Sequence, residues 1–81
     1  MKKRLEADVI PQLYTDARCD LASQLRAARL SKNLTQQAVA DMAGTKRSNI
    51  SRMESGKYNP SLDFLVKVAD SMGMQLNINI Q

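Results

Sequence analysis

Apolar residues recur at intervals of three and four along most of this chain, and at intervals of two only at its end. Ala17, Leu21, Leu25 and Ala28 share one helix face, and Thr15 before them is a residue type favoured at N-caps. Asp16 and Asp20 near that start suit the positive end of the helix dipole. The pattern predicts a first helix from Thr15 to about Asn33, a residue that tolerates the left-handed geometry of a helix stop. Thr35 then caps a short second helix, Gln36 to Met42, which buries Val39, Ala40 and Ala43 and stops at Gly44. A third helix starts around Thr45 or Lys46, turns Ile50 and Met53 to one side and ends before Gly56. Beyond Pro60, Ser61 caps a fourth helix with Leu62, Leu65, Val66 and Ala69 as its apolar stripe and Gly73 as its stop.

The period then changes. In Gln75-Leu76-Asn77-Ile78-Asn79-Ile80-Gln81 apolar and polar residues alternate strictly, which predicts a strand with Leu76, Ile78 and Ile80 on one face. The rest of the sequence offers no convincing partner strand, and a lone strand leaves its backbone donors and acceptors without a ladder. The economical arrangement is antiparallel pairing with a second copy across a two-fold axis, and the alternative is a frayed terminus. Before Pro11, Leu5 and Val9 share a face of a possible short helix, but the proline pushes Ile10 out of helical geometry, so the stretch also reads as an arm. The expected fold is all-α and compact, with four to five helices: an arm at 1–14, a domain at 15–74 and a dimerisation strand at 75–81.

Composition narrows the chemistry. A chain of 81 residues forms one small domain, and natural domains net only roughly 0.05–0.15 kcal/mol per residue, so a second subunit is a plausible source of stability. The absence of His excludes a Ser-His-Asp triad, a Cys-His dyad and a His-based zinc site. The single thiol, Cys19, forms neither an internal disulfide nor a thiolate cage, and is expected to be a buried free cysteine in a reducing cytoplasm. Gly44, Gly56 and Gly73 are too scattered for a phosphate-cradling loop. The expectation is a protein that is not an enzyme and needs no cofactor or metal. No apolar run reaches membrane-spanning length, and Leu5-Glu6-Ala7-Asp8 interrupts any signal-peptide core, so a cytoplasmic location away from membranes is expected.

Charge is unevenly distributed. Residues 1–20 hold four basic and four acidic groups and residues 58–81 one and two, whereas residues 21–57 hold seven basic and two acidic. The basic segment contains the two short helices joined by a tight Gly44 turn, the helix-turn-helix arrangement in which the second helix enters the DNA major groove. Ala40 fits the point of closest helix approach, and Val39, Ala43, Ile50 and Met53 fit the wedge that fixes the crossing angle. The stretches Leu25-Arg26-Ala27-Ala28-Arg29, Leu34-Thr35-Gln36-Gln37-Ala38-Val39-Ala40, Ile50-Ser51-Arg52-Met53-Glu54-Ser55-Gly56-Lys57 and Asn59-Pro60-Ser61-Leu62 resemble the Cro/phage-repressor (Xre) type of helix-turn-helix domain. The resemblance covers about residues 21–74. With the alternating C-terminal segment it is most similar to HigA-type antitoxins, which bind a RelE/HigB-type ribonuclease toxin and repress their own operon.

The resemblance assigns roles residue by residue. It implies that Gln36 contacts phosphate or an operator-facing side chain, and that Lys46, Arg47, Ser48, Asn49 and Arg52 form the exposed face of the recognition helix. Independently, Arg can contact guanine through two hydrogen bonds and Asn can contact adenine likewise, while Lys and Ser commonly hold phosphate. Arg47 and Ser48 are the expected base readers, Lys46 and Asn49 partly backbone contacts, Arg52 either, and Lys57 a further phosphate anchor or simply exposed. The ordinary reading of such residues is a solvated helix face, and the surrounding motif is what favours DNA. Arg29 and Glu54 match a family ion pair with a structural role. Lys46 stands where the family usually has a Ser or Thr cap, which leaves Thr45 as an alternative cap. The implied partners are a palindromic operator in double-stranded DNA, a second copy of the chain and a RelE/HigB-type toxin. The alternatives are a stand-alone phage or chromosomal repressor, or a toxin-binding module that reads no operator.

Overall fold

The computed structural model describes residues 11–80, and side-chain surroundings from residue 17 onward. Four helices are present among the described residues: α1 (Pro11–Ser31), α2 (Gln36–Ala43), α3 (Arg47–Glu54) and α4 (Leu62–Ser71). Helix α1 begins a turn earlier than expected, and Thr15 lies within it rather than capping it. Proline suits a first helical turn, where its fixed φ is already helical and its missing N–H would have had no intrahelical partner. The reading of residues 1–10 as a short helix or arm falls outside the described residues.

The ends of the helices follow local chemistry. Thr35 accepts the Ala38 N–H through its hydroxyl at 3.0 Å, and Ser61 accepts that of Phe64 at 3.1 Å. Three helices close with the same pair of backbone bonds around a left-handed residue, Asn33 (φ 56°), Gly44 (φ 68°) or Gly73 (φ 72°). In each the following N–H reaches back five residues: Leu34 to Arg29, Thr45 to Ala40 and Met74 to Ala69, at 2.9–3.1 Å. Helix α3 differs at its start. Its N-cap is Lys46, which makes no side-chain cap bond, and the Thr45 hydroxyl instead accepts from Asn49 Nδ2 at 2.9 Å.

The core unites Leu25 of α1, Val39, Ala40 and Ala43 of α2, Ile50 and Met53 of α3, and Leu65, Val68 and Ala69 of α4 with Met72 beyond it. Ala40 and Ile50 are fully buried, so the α2–α3 crossing is tight. Two expected faces are rotated. On α1 the buried positions are Ala22, Leu25 and Arg29, with Leu21 and Ala28 half-buried, while Ala17 and Cys19 are exposed. Cys19 is therefore not the buried thiol expected from composition: it lies off the core face, its Sγ 4.0 Å from the Gly56 carbonyl. On α4 the inward row is Leu65, Val68, Ala69 and Met72, and Leu62 and Val66 are about half exposed.

The expected C-terminal strand is not formed in the described chain. Residues 74–80 have no regular secondary structure, and none of the other described residues forms a strand that could pair with them. Leu76 folds back against the core and lines a groove with Leu21, whereas Ile78 and Ile80 are exposed. Among the described residues no helix is long and apolar enough to cross a membrane.

Candidate nucleic-acid interface

Helix α3 is amphipathic in two chemically different halves. Ile50 and Met53 point into the core, and Lys46, Arg47, Ser48, Ser51 and Arg52 lie on its exposed side. Four cations, Lys46, Arg47, Arg52 and Lys57, thus border one short helix, and its one acid, Glu54, is turned inward with its side chain only 4% exposed. The sign of the exposed surface is positive because the compensating charge is withdrawn from it.

Glu54 is withdrawn by Arg29. The Arg29 Nε donates to Glu54 Oε2 at 2.7 Å and its Nη2 to Oε1 at 3.0 Å, a two-point ion pair joining α1 to the end of α3. The third donor, Nη1, reaches the Leu34 carbonyl at 2.8 Å in the α1–α2 connection. The hydrogen bonding to Glu54, aided by its negative charge, holds the Arg29 guanidinium above its ordinary pKa against the opposing effect of burial. Helices α1, α2 and α3 therefore meet at one charge pair.

The pair extends to the surface through Gln36, the first residue of α2. Gln36 Nε2 donates to Glu54 Oε1 at 3.1 Å, and Gln36 Oε1 accepts from Arg47 Nη1 at 3.3 Å. Of the sequence-predicted residues, Gln36, Arg47, Arg29 and Glu54 are thus joined in one network. Asn49 is half-buried and turned toward Thr45. Lys57 lies beyond Gly56, its N–H bonded to the Ser55 hydroxyl at 3.2 Å. Leu76 is separated from Ile78 and Ile80 in burial, though all three alternate along one segment.

Tyr58 was not singled out by sequence. Its ring lies 5.8 Å from the Arg52 guanidinium carbon, within cation–π range, so Arg52 has a flat apolar rest beside α3. The available signal was an aromatic residue next to Lys57 in the loop after a basic helix; the contact itself depends on how that loop turns back.

A short capped helix, a left-handed glycine turn and a second helix with a cationic outer face, clamped on a third helix, define a helix-turn-helix DNA-binding domain. The sequence profile of the helix-turn-helix family matches residues 25–78. The chain belongs to that family, in its Cro/phage-repressor (Xre) branch, and is a DNA-binding transcription regulator. It is 35% identical over 57 residues to the immunity repressor protein of Bacillus phage phi105, a match covering 70% of this chain and 40% of the repressor. It is 36% identical over 56 residues to an uncharacterized HTH-type transcriptional regulator of Methanocaldococcus jannaschii, covering 69% of this chain and 85% of that protein. Among solved structures it is similar to a toxin–antitoxin module from Streptococcus pneumoniae, with a TM-score of 0.67 and 33% identity over 98% of this chain and 91% of the other.

Proposed function

We propose that this protein is a repressor acting by occupancy, as a homodimer that sets two copies of α3 into successive major grooves of a palindromic operator, roughly 34–36 Å apart. The observation that carries the reading is the exposed set Lys46, Arg47, Ser48 and Arg52 on a helix anchored through the buried Glu54. Arg47 and Ser48 read bases, Lys46, Asn49 and Lys57 hold the phosphate backbone, Gln36 supports Arg47, and Arg52 contributes to either.

Within that class the chain acts as the antitoxin of a type II module of HigA type, binding a RelE/HigB-type ribonuclease toxin and repressing their common operon. Its likeness to the Streptococcus pneumoniae module supports this, because the likeness runs through nearly the whole chain rather than the helix-turn-helix alone. The likeness to a phage immunity repressor favours a second reading, a stand-alone repressor.

Fluorescence-anisotropy titration of DNA from upstream of its own gene tests the operator role. Affinity is expected to fall steeply between about 50 and 200 mM salt, as cationic contacts release condensed counterions. A salt-independent affinity overturns it. Co-expression with the product of an adjacent gene separates the two readings: growth rescue and copurification support the antitoxin, and a partnerless protein that still binds its operator supports the stand-alone repressor.

A further inference from the structure

A pit of about 160 Å³ opens where α1 faces the connection between α3 and α4. Its floor is made by Ala22 and Leu25 of α1, Met53 of α3 and Leu65 of α4, all buried. Apolar walls hold water poorly, and a hole of about 150 Å³ with such walls takes up a single benzene ring. Well-packed interiors leave few spaces of that size unfilled. The polar part of the lining is of one kind: the half-buried Arg18 of α1, with Tyr58 and Asn59 of the connection, brings a cation and no acid. Arg18 makes no ion pair with any acid whose side chain is described. The Tyr58 ring is shared, since it lines the pit and also lies 5.8 Å from the guanidinium carbon of Arg52. The pit thus touches the recognition helix twice, through Met53 on its buried side and through Tyr58 and Arg52 at its exposed end.

We propose that this pit is an effector site for a small single-ring aromatic carboxylate, and that filling it weakens operator binding. The ring occupies the space over Met53 and Leu65, and the carboxylate takes the Arg18 guanidinium through charge-assisted hydrogen bonds. A neutral ring satisfies the volume alone and a hydrophilic anion the charge alone, so the pit selects molecules that carry both. The bound anion lowers the positive potential at the end of α3, where Arg52 and Lys57 lie, and so reduces the attraction for phosphate. The regulation rests on the operator-reading role proposed above; the site itself does not.

The test follows the backbone amides of isotope-labelled, full-length protein by NMR during titration with sodium benzoate, with benzamide and sodium acetate as controls at constant ionic strength. The amides of Leu21, Leu25, Met53 and Tyr58 are expected to shift together along one saturating curve, with a dissociation constant of roughly 0.1–3 mM, the range open to so small a ligand. Benzamide is expected to bind about fivefold more weakly, lacking the charge, and acetate to leave those amides unmoved. Arg18→Gln brings benzoate down to the level of benzamide. Ala17→Leu, at an exposed position of the lining, closes the pit to both with the melting temperature kept. In fluorescence anisotropy, saturating benzoate is expected to weaken operator binding by the wild-type protein about threefold or more, and by the Ala17→Leu protein not at all. The absence of a saturating shift, or equal affinity for benzoate and benzamide, overturns the site. Shifts that appear only with a copurified protein overturn it too, because they place a partner's side chain in the pit. Benzoate that fills the pit without changing the affinity for a bound operator overturns the regulation alone. If the protein binds no operator, operator reading falls and the regulation with it, while the titration still decides the site.

Discussion

Arg29 is the residue on which the exposed cationic face of α3 depends, though it lies away from that face. Its side chain is about 9% exposed and Glu54's 4%, so both charges are held out of water and each is tolerable only because of the other. Glu54→Ala would leave a buried guanidinium with the Leu34 carbonyl as its remaining partner, and removing one member of a buried pair typically costs about 3–5 kcal/mol. For a chain of this size that is a large share of total stability. The variant is expected to melt far below wild type in a circular-dichroism scan and to lose operator binding by unfolding; a normal melting curve with binding lost would show that Glu54 acts at the DNA instead. The direction of the Arg29 shift sets the pH behaviour. A guanidinium whose pKa is raised in the folded state contributes its full stabilisation below the unfolded value and loses it only as pH rises through the folded one. Both lie above the working range, so the Arg29 contribution to the gap between wild type and variant is the same at pH 7 and pH 9. The chain also has no His to add a switch between these limits and mild acid.

At the scale of the elements, two glycines with similar backbone angles have different reasons to be glycine. Gly44 (φ 68°) ends α2 in open space, where an added Cβ would meet nothing within 4 Å. Gly56 (φ 75°) ends the α3 turn against α1, where a Cβ would lie 2.9 Å from Cys19 Sγ and 3.1 Å from its Cα. Gly44→Ala therefore meets only the left-handed penalty, about 1–2 kcal/mol. Gly56→Ala meets that and a clash with backbone, and is expected to lower the denaturation midpoint clearly more; equal losses would mean that α1 gives way there freely. Both stops were legible in the sequence, as were the Thr35 and Ser61 caps, because the signals are local: a hydroxyl before an apolar row, a glycine after it. What escaped was either a choice between equally local readings or a matter of distance. The start of α1 was placed at Thr15, whereas the helix begins at Pro11. Leu62 and Val66 share a stripe with Leu65, but only the docking of α4 shows that Val68 and Met72 complete the inward row. The exposed positions of α3 followed from its amphipathic period, whereas the Gln36 bridge and the Tyr58 stack join residues whose proximity no periodicity encodes.

For the whole molecule, the excess charge lies in residues 21–57, so the proposed dimer would double a cationic surface rather than a diffuse one. The apolar surface is distributed in a complementary way. Ile78 and Ile80 are 63% and 91% exposed, with Leu62 and Val66 of α4 about half exposed as well, a large apolar display for so small a domain. Groove-lining residues Leu21, Leu62, Leu65, Leu76 and Ile78 connect α1, α4 and the tail. In the homodimer proposed above, a second copy seated on this groove would cover Ile78 and Ile80, while Leu76 stays against its own core. Because Ile78 and Ile80 contribute little to the core of their own chain, the double substitution Ile78→Asp with Ile80→Asp separates assembly from folding. It is expected to keep the helical circular-dichroism signal and shift sedimentation velocity from dimer toward monomer at micromolar concentration. Operator affinity would then fall because two half-sites no longer bind as one unit, whereas a single half-site duplex is bound as before. An unchanged dimer would place the subunit contact elsewhere, with the exposed α4 residues Leu62 and Val66 the next to substitute.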